Sequence, residues 1–313
     1  MNGLTLQMIT SSNTSLPPIV MIGGNSLLAR SIYSYFYASF NFIFISRSPS
    51  SYYPRNTHLS CDYLSLNQLD NLVLSLRPNL IINCAALTSV EQCESNPHLA
   101  HAVNVDLSRK LAHVCSLYDI DYVHISTDHV FNGLSGNYTE MSYASPVNTY
   151  GLTKLQAENI VLLSNPRSLV LRTNFFSWGP LYRPSFSDTI LAHLRQRNEI
   201  HLFADAIFSP VTAYTLFRTL IAAVNHRLTG IYHLSSDDSI SKYEFGLLLA
   251  ARFSLDPSFI SKSRLSERSD LVPRPRNLSL SNTKLASVLN LTIGSVDDQV
   301  CELISTQNLS SRV

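Results

Sequence analysis

Five short runs rich in β-branched and aromatic residues, IVMI (19–22), FIFI (42–45), LIIN (80–83), YVHIS (122–126) and LVLRT (169–173), are separated by segments long enough for a crossover helix, such as Leu99 to Leu117. This alternation constrains the fold more than any other feature of the chain. Parallel strands need a connection of a dozen or more residues, normally a helix, and strands covered on both faces read as near-continuous apolar runs. The expected fold class is α/β, with a doubly wound parallel sheet. Past residue 174 the alternation loosens around Pro180, Pro184, Pro210, Pro257, Pro273 and Pro275, with one further run, IYHLS, at 231–235. We expect residues 1–18 to be a frayed extension and 19–173 a dinucleotide-binding domain to which 211–235 returns. Residues 174–210 and 236–313 then form a smaller, less regular C-terminal substrate-binding region over the carboxyl ends of the strands.

Composition narrows the setting. A net charge of +1 without a basic cluster argues against sequence-independent nucleic-acid binding. The most apolar stretch, Ile32 to Ile45, is shorter than a membrane span and is interrupted by Ser34, Ser39 and Asn41. The first eighteen residues lack the basic start and apolar run of a secretory signal. Five cysteines form no CxxC and no regular framework, so free thiols in a reducing compartment, the cytoplasm, are the expectation. His98 and His101 stand three apart with no third ligand at metal spacing, and no metal is expected.

Directly after the first strand stands GGNSLLAR, Gly23 to Arg30. In a dinucleotide fold of the Rossmann type this turn brings backbone N–H groups and a helix N-terminus to a pyrophosphate. A Gly-x-x-Gly-x-x-Gly spacing puts Ser26 and Ala29 at the second and third places. After the second strand come Ser46 and Arg47, with no acid to hold ribose hydroxyls. An arginine there suits a 2′-phosphate, so NADP(H) is preferred over NAD(H).

The fourth run delivers Ser126, Thr127 and Asp128 at its carboxyl end, and NTYGLTK places Tyr150 four residues before Lys154. If residues 146–163 are helical, Tyr150 and Lys154 share one face. A chain with 15 tyrosines can carry such a pair by accident, and alone it proves little. Beside a nicotinamide and a strand-end hydroxyl it makes chemical sense. Tyrosine, with an ordinary pKa near 10, is a poor acid until a neighbouring cation stabilises its phenolate.

At these residues the sequence resembles the extended short-chain dehydrogenase/reductases, most closely the dTDP-4-dehydrorhamnose reductase (RmlD-like) group. The likeness runs through six ordered blocks: GGNSLLAR, NCAALTSVEQCE (83–94), STDHVFNG (126–133), SPVNTYGLTKLQAE (145–158), LRTNFFSWG (171–179) and RPRNLSLSNTKL (274–285). The resemblance implies that Thr127, Tyr150 and Lys154 are catalytic. It implies cofactor contacts from Gly23, Asn25, Ser26, Leu27 and Leu28, from Asp62 and Tyr63 beside the adenine, and from Ala85 and Ala86 in the groove, with Arg47 added by the argument above. For the substrate it implies Asp128, His129, Asn174, Phe175 and Phe176, with Arg274 at a diphosphate.

The implied function is NAD(P)H-dependent reduction of a nucleotide-linked 4-keto-6-deoxysugar for surface polysaccharide, by a protein whose partner is that substrate and which could form a homodimer. Departures from the family pattern are Ser26 and Ala29 in the glycine loop and His129 where these reductases commonly carry Tyr. Asp128 is followed by His rather than the Glu of the related dehydratases, which argues against water elimination. Two alternatives remain open: a non-catalytic NADP-binding regulatory subunit, since the chain also resembles the β subunit of methionine adenosyltransferase, and a sugar-nucleotide epimerase.

Overall fold

A computed structural model describes residues 17–61, 66–180 and 183–310 of the 313. The calls on Asp62 and Tyr63 lie outside the described residues. Six strands, β1 (Ile19–Ile22), β2 (Phe42–Ser46), β3 (His58–Ser60), β4 (Leu80–Asn83), β5 (Asp121–Thr127) and β6 (Leu169–Thr173), join with Gly230–Leu234 in one sheet. Its order is Gly230–Leu234, β6, β5, β4, β1, β2, β3, and every pairing is parallel. Helices α1 (Leu27–Phe36), α2 (Leu66–Leu76), α3 (Val90–Ser95), α4 (Pro97–His101), α5 (Leu107–Leu117) and α6 (Thr149–Ser164) make the crossovers. They are followed by α7 (Phe186–Arg195), α8 (Ala213–Asn225) and α9 (Lys242–Arg252).

The apolar runs are continuous because both sheet faces are covered. In β1, Ile19 and Met21 pack with Leu28, Ile32 and Phe36 of α1 and with Leu216, Phe217 and Leu220 of α8. The alternate residues Val20 and Ile22 face Leu69 and Val73 of α2 and Leu107, Leu111 and Val114 of α5. Side chains of successive strand residues point to opposite faces, so one four-residue run serves two cores. Apolar surface removed from water stabilises by about 25 cal/mol per Å², and the double burial applies this to both faces of each strand. A separate cluster joins Phe176, Ile190, Leu191, Phe208, Phe245, Leu249, Val296 and Val300.

β1, β2 and β3 run outward in one direction and β4, β5 and β6 in the other, so the strand order reverses between β1 and β4. Ligands of open α/β sheets bind at the carboxyl ends of the strands at such a switch point. The crossover helix expected over Leu99 to Leu117 is present and carries a π-helical turn at Ala102–Asp106 between α4 and α5. Within it, buried Asn104 takes the Leu87 N–H (2.8 Å) and donates to Thr153 Oγ1 (3.0 Å), tying the chain after β4 to α6.

Candidate active site

Gly23 turns the chain at the end of β1 with φ +85°, and a Cβ there would stand 2.7 Å from the Ala85 nitrogen. The switch point is therefore closed so tightly that a side chain cannot enter, and the left-handed φ adds strain for any other residue. The loop leads into α1, whose N-cap is Ser26, its Oγ accepting from Ala29 N. Ser26 and Ala29 thus have physical reasons to depart from glycine: one caps the helix, and the other is fully buried in the core. What remains at the mouth is a helix N-terminus backed by a glycine turn, chemistry that fits a pyrophosphate.

Around this turn opens a cavity of about 560 Å³. Gly23, Asn25, Ser26, Leu27, Leu28 and Arg47 line one end, Ala85 and Ala86 its middle, and Thr127, His129, Tyr150, Lys154, Asn174, Phe175 and Arg274 the other. Sequence reasoning missed further lining residues, among them Ser48, Cys84, Thr88, Val103 and Arg183. Arg183 donates to Asn25 O (3.4 Å) from an irregular, proline-rich stretch whose sequence carried no signal. Asn25 is itself fixed by bonds from its Nδ2 to Ser46 Oγ (3.0 Å) and Ser48 O (3.1 Å).

At the catalytic end Thr127 is the last residue of β5. Its Oγ1 donates to Asp128 Oδ1 (3.1 Å), and Asn174 Nδ2 donates to Asp128 Oδ2 (2.9 Å). Asp128 is 1% exposed and does not line the cavity; it holds two residues that do. Phe176 is likewise displaced from its expected place. It is 2% exposed and packs edge-on to Phe245, with ring centroids 5.1 Å apart, while its neighbour Phe175 faces the cavity.

Tyr150 stands in the first turn of α6, which starts at Thr149 rather than Pro146 because Asn148 caps it, Oδ1 accepting from Gly151 N (2.9 Å). A Cβ on Gly151 would come 2.3 Å from His129 O, so glycine lets this turn lie against the end of β5. Burial holds the Tyr150 hydroxyl's pKa well above the ordinary value, against a lowering effect from Thr127. One turn on, Lys154 is 2% exposed. Its Nζ donates to Ile125 O (2.7 Å) and lies 3.2 Å from His124 Nε2. Burial lowers its pKa to about 8, against a raising effect from Glu158. The lysine is thus charged at neutral pH, beside a tyrosine that needs a cation to give up its proton.

His129 sets its ring at 67° to that of Tyr150, centroids 5.5 Å apart, and burial lowers its pKa, so the ring is neutral at pH 7. Arg274 forms an ion pair with Glu91 and still reaches the cavity wall. Arg47 is exposed and marks the far end, beyond β2. No helix of the described residues is long and apolar enough to cross a membrane.

The chain as a whole is similar to known proteins. The dTDP-4-dehydrorhamnose reductase of Aggregatibacter actinomycetemcomitans is 28% identical over 74% of this chain and 82% of its own. Methionine adenosyltransferase 2 subunit beta of Xenopus laevis is 33% identical over 70% of this chain and 69% of its own. Among solved structures, the dTDP-4-dehydrorhamnose reductase of Bacillus anthracis in complex with NADP superposes with a TM-score of 0.82 at 24% identity, covering 93% of this chain and 99% of that one. The model of the RmlD substrate binding domain matches residues 18–308, and the chain belongs to that family.

Proposed function

We propose that the protein is a cytoplasmic NADPH-preferring reductase of a nucleotide-linked 4-keto-6-deoxysugar, active in glycan or surface-polysaccharide synthesis. The observation that carries this reading is that Thr127, Tyr150 and Lys154 line the same cavity as the Gly23 turn. A dinucleotide would be held with its pyrophosphate at the α1 N-terminus, by Ala85 and Ala86 along its length, and by Arg47, which the sequence places after β2 where an acid would hold ribose hydroxyls, at a 2′-phosphate. When bound, the nicotinamide supplies hydride to the keto carbon.

The chain's own residues do the rest. Tyr150 gives its proton to the developing alkoxide, and the Lys154 ammonium stabilises the phenolate left behind. Thr127 Oγ1, now turned to Asp128, is free to turn its hydrogen to the same oxygen. His129, Asn174 and Phe175 border the sugar, and Arg274 meets the diphosphate. The relatives named as reductases support this assignment.

The likeness to a methionine adenosyltransferase subunit favours a second reading, a binding subunit without turnover. The test is NADPH consumption with a panel of nucleotide-linked 4-keto-6-deoxysugars. The reductase reading expects one NADPH spent per alcohol formed. Tight NADPH binding with no consumption on any member would sink it and leave the second reading.

A further inference from the structure

Along β5, Val123 faces the α1 side of the sheet, while Tyr122, His124 and Ser126 face the side covered by α5 and α6. His124 is fully buried. Its Nε2 lies 3.2 Å from Lys154 Nζ, which also donates to Ile125 O at 2.7 Å. Two of the three ammonium hydrogens are thus taken by consecutive residues of one strand. With the ammonium as donor, Nε2 must accept, and the ring hydrogen sits on Nδ1. That Nδ1 is buried with no hydrogen-bond partner. An unmet buried donor is costly, and the tautomer that imposes it is the one that serves Lys154.

We propose that His124 is a positioning residue for Lys154, its Nε2 accepting one ammonium hydrogen so that the remaining one is directed into the cavity, toward Tyr150 and a cofactor ribose. Besides the Ile125 carbonyl, the titratable groups acting on Lys154 are Glu158 on α6, Cys84 after β4 and His124 itself. Of these, His124 is the one that accepts directly from the nitrogen. Accepting from the charged form favours it, opposing the burial that lowers the lysine's pKa to about 8.

The direction given to the third hydrogen rests on the reductase reading; the His124–Lys154 bond does not. The test therefore uses a readout independent of turnover. Lysine labelled with ¹³C at Cε is titrated by NMR in the wild type, His124→Gln and His124→Phe, with Lys154→Met assigning the resonance. Gln retains an acceptor, and its Lys154 midpoint is expected to stay near that of the wild type. Phe removes the acceptor and should lower the midpoint by about one unit, with the other lysines unmoved. The alkaline limb of NADPH oxidation should move by the same amount.

The proposal is overturned if Phe leaves the midpoint in place or if Gln shifts it as far as Phe does. Should the Phe variant not fold, ¹⁵N spectra of the wild-type imidazole decide: the Nδ1–H tautomer supports the assignment, and Nε2–H refutes it. A protein that consumes no NADPH still gives both NMR answers, so failure of the reductase reading is distinguishable from failure of this one.

Discussion

Two buried cations pack against the last residues of β5 and receive opposite treatment. Arg172 of β6 is 3% exposed and fully committed. Its Nε donates to both Glu158 oxygens (3.0 and 3.1 Å), and Nη2 donates to Oε2 (2.7 Å). Ser126 donates to the same carboxylate, and the guanidinium lies 5.1 Å over the Phe131 ring. Lys154, as deeply buried, forms an ion pair with no carboxylate among the described residues and leans on a backbone carbonyl and a neutral histidine. The two sites are joined through Glu158, which is one turn beyond Lys154 on α6 and acts on it only at a distance. A charge that is fully paired fixes structure; one left partly unpaired stays available for chemistry.

The comparison can be broken from either side. Glu158→Ala leaves Arg172 buried without its partner and should cost about 3–5 kcal/mol of stability, read from denaturant midpoints. Lys154→Met should show the reverse pattern. Turnover is expected to fall by roughly 10²–10³, while stability changes by no more than about 2 kcal/mol, because only neutral acceptors lose a partner. A Lys154→Met protein as unstable as Glu158→Ala would mean that the lysine is structural.

Titration sharpens the contrast. Lys154 is charged below its pKa of about 8 and neutral above it, and in the proposed reaction only the charged form stabilises the Tyr150 phenolate. Turnover should therefore hold below pH 8 and fall above it, approaching tenfold per unit. The smallest effect belongs to the exposed end of the cavity. Arg47→Ala should weaken NADPH binding about tenfold and leave NADH unchanged, measured by nicotinamide fluorescence.

What the sequence made legible follows the same division. The parallel sheet, the glycine turn and the shared face of Tyr150 and Lys154 were readable because each is written in local spacing: continuous apolar runs, a turn before a helix, an i, i+4 pair; that Thr127 joins them at one cavity was implied by the family resemblance. Arg183 and the His124 contact were not, since they join segments far apart in sequence and no period announces them. Phe175 and Phe176 show the limit of carrying over a motif. Adjacent residues of an extended segment point opposite ways, so both could not face one ligand, and the cluster around Phe245 took the second. Asp128 was expected to border the substrate, but it lies behind the cavity wall, bonded to Thr127 and Asn174.

The most direct test of the account is Tyr150→Phe, assayed side by side with the wild type for NADPH affinity and for NADPH consumption on a nucleotide-linked 4-keto-6-deoxysugar. The hydroxyl is the proposed proton donor and takes no part in holding the cofactor's phosphates. Affinity should therefore be unchanged while turnover falls by roughly 10²–10⁴. A phenylalanine enzyme that turns over at the wild-type rate would contradict the account.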